Sequence, residues 1–145
     1  MKVGIPPFRE DGYLPVGLYQ STLEDAIDRF GTGGKRRRYL TFRLQRWVEL
    51  SRAVNAQRLF VDGSFVTSKD EPNDIDAVVL LPPSFRQLIQ DGDDAATELE
   101  YMLLTRQPEE IFGAEDENDW YEWLAFFSQT RESDHREKGL VEILL

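Results

Sequence analysis

The 145-residue chain contains no cysteine and a single histidine, His135. Without cysteine there is no disulfide, no thiolate metal site and no cysteine nucleophile. One histidine excludes multi-histidine zinc sites. Its place in the charged stretch "RESDHREKG" gives a Ser-His-Asp triad little support. No apolar run approaches bilayer length, so no membrane partner is expected. The N-terminal "MKVGIPPFRED" lacks the apolar core of a secretory signal, and a cytoplasmic location is expected. Positive charge is short: 17 Lys and Arg against 27 Asp and Glu leave a net charge of −10. Phosphate backbones require clustered bases, so general nucleic-acid binding is not expected.

The length suits one domain with one substantial core, spanning 1–145. Charge is unevenly placed. Residues 35–58 carry "KRRR", Arg43, Arg46, Arg52 and Arg58, whereas 91–119 is acidic with Arg106 as its only base. The two segments either attract each other within the fold or leave the basic one to face an anionic ligand. "KRRR" itself reads as a solvated helix start or, less readily, a polyanion patch.

Residues 1–20 hold prolines and glycines that interrupt regular structure. They read as an extended arm anchored by Ile5, Phe8, Tyr13, Leu14 and Leu18. "STLEDAIDRFG" reads as a short helix, with Ser21 and Glu24 at capping-box spacing and Gly31 at its end. Leu40, Leu44, Trp47, Ser51 and Val54 predict a long amphipathic helix. "RLFVD" and "DIDAVVLL" read as strands, the first ended by Gly63-Ser64 and the second by Pro82-Pro83. Residues 84–106 read as two helices broken near "DGDD", and "QPEEIFGAEDEND" as a connection. "DWYEWLAFFSQT" is an amphipathic helix with Trp120, Trp123, Leu124 and Phe127 toward the core. "LVEILL" is a last strand. The order predicts an α+β fold with helices packed on a sheet.

The chemistry concentrates in "FVDGSFVTSKDEPNDIDAVVLLP". Strand alternation points Asp74 and Asp76 the same way and Ile75 into the core. Two such carboxylates repel unless a cation sits between them. Oxygen-only ligands suit Mg²⁺ or Mn²⁺, which keep waters and take up phosphate oxygens. Gly63 permits close backbone approach, and Ser64 offers a hydroxyl and an N–H to a phosphate. The plainer alternative is a solvated turn at Asn73-Asp74. Lys69 is either a phosphate contact or a solvated loop lysine. "RFGTGGKR" fails as a P-loop because Arg29 and Arg36 stand where Gly and Ser/Thr are required. A dinucleotide fingerprint would need Gly at Arg36. "DGDD" lacks calcium-loop spacing.

Gly63-Ser64, nine residues, then Asp74-Ile75-Asp76 resembles the signature of the nucleotidyltransferase superfamily, which includes DNA polymerase beta and the minimal bacterial nucleotidyltransferases. "DGSFVTSKDEPNDIDAVVLLP" with "KGLVEI" is also similar to a small uncharacterised bacterial and phage family carrying that core. The resemblance implies a nucleotidyltransferase-like mixed β-sheet flanked by helices. It implies a nucleoside triphosphate bound by Gly63, Ser64 and Lys69, and metal held by Asp74, Asp76 and a third carboxylate. Glu142 in "LVEILL" is the candidate for the third, departing from the commoner Asp. The implied reaction is attack of an acceptor hydroxyl on the nucleotide's α-phosphorus, the acceptor being a small molecule, protein or RNA end. The competing expectation is an inactive interaction module on the same fold, an antitoxin-like or regulatory partner. A helical protein partner is implied for an active minimal enzyme of this type.

Overall fold

The computed structural model describes residues 2–107 and 109–145. Met1 of the expected arm and Pro108 of the expected 107–119 connection lie outside them. The fold is α+β: a mixed sheet with helices on both faces. The strands are β1 (Lys2–Val3), β2 (Leu18–Ser21), β3 (Arg58–Asp62), β4 (Asp76–Leu80), β5 (Ile111–Ala114) and β6 (Leu140–Ile143). Their order across the sheet is β1-β2-β6-β3-β4-β5. The central strand β3 runs antiparallel to both β4 and β6, while β2 with β6 and β4 with β5 are parallel pairs.

Strand alternation sorts the side chains into two cores. Leu59, Val61, Ala77, Val79, Val141 and Ile143 project to one face. There they meet α1 (Leu23–Phe30), α2 (Lys35–Ala53) and α4 (Asp94–Thr105), with the short α3 (Phe85–Gln90) at the margin. The α2 stripe of Leu40, Leu44, Trp47, Ser51 and Val54 is buried throughout, as its spacing requires. Phe60, Val78, Leu80 and Leu140 project to the other face, against α5 (Glu117–Phe127). Trp120 packs edge-on to Phe60 at 5.1 Å between ring centroids. That geometry suits the positive rim and negative face of aromatic rings. Because β3 and β4 are covered on both sides, they read in sequence as continuous apolar runs.

Three elements depart from expectation. The N-terminal arm is not wholly irregular, since Leu18–Ser21 forms β2 and pairs with β6. Ser21 thus ends a strand, and the α1 cap moves to Thr22, whose hydroxyl accepts from the Asp25 N–H at 3.1 Å. Within "QPEEIFGAEDEND", Ile111–Ala114 forms the edge strand β5 rather than a connection. Among the described residues no helix is long and apolar enough to cross a membrane.

The basic and acidic segments do meet. Arg46 on α2 reaches Glu98 on α4 at 2.5 Å, and Arg43 reaches Glu109 at 3.3 Å. "KRRR" is neither simply solvated nor a free patch. Arg37 is buried, and its guanidinium donates to the carbonyls of Phe30, Phe65, Thr67 and Lys69. Arg36 donates to the carbonyls of Pro72 and Asn73. The first turn of α2 therefore splints the loop between β3 and β4. Arg37→Ala removes a charged donor from several enclosed carbonyls, and its expected cost is about 3 kcal/mol or more. Urea denaturation checks this; an unmoved midpoint would show that the loop does not depend on Arg37.

Candidate functional site

Asp62 and Asp76 are paired across β3 and β4 at the ends of these strands, on the face that α5 covers further along. The chain leaves β3 through Gly63, which sits at φ +90°. A Cβ there would lie 2.9 Å from the Asp74 carbonyl oxygen, so the position requires glycine both for its conformation and for space. A single 3-10 turn, Ser64–Val66, follows.

Ser64 and Asp74 form a closed knot. One Asp74 carboxylate oxygen accepts from the Ser64 N–H at 2.8 Å and from its hydroxyl at 2.7 Å. The Ser64 hydroxyl oxygen accepts in turn from the N–H groups of Asn73 and Asp74. Arg36 and Arg37 hold the carbonyls of the intervening loop, which fixes the knot against β3 and β4. The donors that sequence spacing assigns to a phosphate are thus engaged by Asp74 in this structure.

Asp76 has a different environment. It is only 8% exposed, and among the described residues no group donates a hydrogen bond to its carboxylate. Burial, then the charges of Asp74, Asp62 and Glu110, push its pKa up to about 7, with Arg131 opposing. Asp62 is also buried, and burial raises its pKa, but the Lys138 ammonium pairs with it directly and opposes the rise. The cluster thus brings together three carboxylates and one ammonium. Asp62 and Lys138 were not legible as site residues. The available signal was the position of Asp62 immediately before Gly63.

Glu142 lies elsewhere. It is on the same sheet face, opposite Val141 and Ile143 as alternation requires, but β6 pairs with β3 and β2, not with β4. Its register partner is Phe60. Its carboxylate takes both arms of the Arg58 guanidinium at 2.7 Å, and Arg58 in turn lies 4.7 Å over the Trp120 ring. The structure brings Gly63, Ser64, Asp74, Asp76 and Lys69 to one cavity and does not bring Glu142 there.

That cavity has a volume of about 910 Å³. Its floor is the acid cluster. Its walls are Asp11–Tyr13 of the N-terminal arm, the 67–69 segment, and the chain that leaves α5 between Phe126 and His135. Tyr13 donates to Glu132 at 3.1 Å, which ties the arm to the last wall. Among the described residues, no three His, Cys, Asp or Glu side chains converge to ligate a metal. The observation that fits a cation is the buried, hydrogen-bond-free Asp76 beside Asp74, whose second oxygen faces no donor. Two carboxylates suit an ion such as Mg²⁺ that keeps most of its waters.

A model of one protein family, described as a family of unknown function (DUF6932), matches residues 6–144. No curated protein and no solved structure matches the chain.

Proposed function

The chain belongs to that family of unknown function, and we propose that it is a metal-dependent nucleotidyltransferase acting on a nucleoside triphosphate and a hydroxyl acceptor. The observation that carries the reading is Asp76, a buried carboxylate without a hydrogen-bond donor, set beside Asp74 at the floor of an open cavity. Asp74 and Asp76 would hold a divalent cation, Mg²⁺ or Mn²⁺. Bound there, it would neutralise charge on the transferring phosphoryl group and lower the pKa of an attacking hydroxyl. Ser64 fixes the Asp74 carboxylate, and Arg36 and Arg37 hold the neighbouring loop carbonyls of Phe65, Thr67, Lys69, Pro72 and Asn73. This is the preorganisation that transfer needs, because positioning supplies much of the rate. Lys138 pairs with Asp62, which leaves the carboxyl groups of Asp74 and Asp76 for the cation, whose charge would displace the Asp76 proton. The acceptor oxygen bonds to the α-phosphorus as its bond to pyrophosphate breaks, and the hydroxyl proton passes to a carboxylate of the cluster.

A second reading has its own support. Ser64 spends its donors on Asp74, and Arg58 closes off Glu142. Both features suit an interaction module that keeps the fold without the reaction.

The test combines melting and transfer. Mg²⁺ or Mn²⁺ is expected to raise Tm with occupancy, by the equivalent of about 2.7 kcal/mol at a hundred times Kd. The doubly substituted Asp74→Asn, Asp76→Asn protein is expected to lose that response. The wild-type protein with Mg²⁺ is expected to transfer label from an α-³²P nucleotide to an acceptor. An unchanged metal response in the double variant removes these residues from the site. A metal response with no transfer from any nucleotide favours the interaction module.

A further inference from the structure

Apolar surface is out of place at the mouth of a cavity floored by carboxylates, yet Phe126 is there. It lines the cavity and is 66% exposed. Its ring is not loose. It meets Phe127 edge-on at 5.1 Å and Trp123 edge-on at 6.0 Å between centroids. Trp123 and Phe127 stack on each other at 5.7 Å and pack on Phe112. The last turn of α5 therefore presents one ring that is braced by partly buried aromatics and remains largely exposed to solvent. The same cavity carries two cationic side chains, Lys69 and Arg131, with no ion-pair partner among the described residues.

We infer that Phe126 is the stacking platform for the base of a nucleotide whose phosphates lie toward Lys69, Arg131 and the acid cluster. The inference rests on the nucleotidyltransferase reading and extends it to how the ligand is selected. Every base has a π-face, and an aromatic ring offers it contact at little entropic cost when already braced. A cavity of about 910 Å³ has room for a whole nucleoside triphosphate. Stacking on a single ring discriminates by overlap area, so purines are favoured over pyrimidines, and the base contributes affinity without hydrogen-bond readout.

Calorimetric titration with MgATP, MgUTP and magnesium tripolyphosphate tests this, because tripolyphosphate has no base. The wild-type protein is expected to bind ATP about ten- to a hundredfold tighter than tripolyphosphate, with UTP between them. Phe126→Ala is expected to bring ATP down to the tripolyphosphate affinity and leave tripolyphosphate unchanged. Phe126→Trp is expected to restore the difference. ATP, but not tripolyphosphate, is expected to alter the fluorescence of Trp123, which touches the platform. Equal binding of ATP and tripolyphosphate, or an ATP affinity indifferent to Phe126→Ala, overturns the inference while leaving phosphate binding at the site intact. Binding of neither ligand overturns both this inference and the nucleotidyltransferase reading.

Discussion

Asp76→Asn is expected to lower nucleotidyl transfer by about a thousandfold or more, and Glu142→Gln by no more than a few-fold. A cation that neutralises the transferring phosphoryl group supplies several kcal/mol, and every 1.4 kcal/mol is about tenfold in rate. On the proposed function, losing a carboxylate that would hold it should therefore cost several powers of ten. The superfamily resemblance assigns Glu142 the same standing as Asp74 and Asp76. The strand order argues otherwise. β6 lies beside β3, not β4, and Glu142 faces Phe60 with Arg58 on both its oxygens. Glu142→Gln breaks a partly buried ion pair, so its expected effect is on stability. Transfer should be measured below the melting midpoint of every variant. Equal, severe losses in folded Asp76→Asn and folded Glu142→Gln proteins would return Glu142 to the site and require β6 to rearrange on binding.

The contrast between Glu142 and Asp62 shows which parts of the site were legible in the sequence. Gly63, Ser64, Asp74 and Asp76 are local. A glycine-serine exit from one strand meets Asp76 at the start of the next, and Asp74 in the loop just before it, because β3 and β4 form an antiparallel pair. Alternation also placed Glu142 on the correct face. What spacing cannot give is the neighbour, since that depends on where a distant strand inserts. Insertion of β6 on the far side of β3 takes Glu142 away from Asp76, and the chain leading into it brings Lys138 to Asp62 instead.

The same limit applies to the fold. The α2 stripe and the apolar runs of β3 and β4 announce themselves because both faces of each strand are buried. The four residues of β2 follow Pro15 and Gly17, and they pair with β1 and β6, distant in the case of β6, so nothing local marks them as a strand. β5 is an edge strand containing Gly113 and flanked by acids, and its pattern reads as loop. Arg37 is the clearest case of tertiary override. A base among bases looks solvated until the 65–69 carbonyls close around it.

The buried state of Asp76 has a consequence for stability that needs no substrate. Its carboxyl titrates at about 7 in the folded chain, against about 3.9 when unfolded. Between these values the folded chain holds a proton that the unfolded chain has released. Stability therefore falls as pH rises through that window and levels off above it. At about 1.4 kcal/mol per unit, the loss in metal-free protein amounts to roughly 4 kcal/mol as an upper figure. Asp76→Asn removes the group, so the variant should match the wild type near pH 4 and exceed it by a few kcal/mol at pH 8. The other carboxylates titrate in both proteins and largely cancel from the difference. Urea midpoints in chelator across pH 4–8 provide the check. Mg²⁺ should return stability to the wild type at pH 8 far more than at pH 5, where a proton already occupies the carboxylate. Two parallel pH profiles would mean that Asp76 is solvated or paired in solution, and the cation site would lose the residue on which it depends.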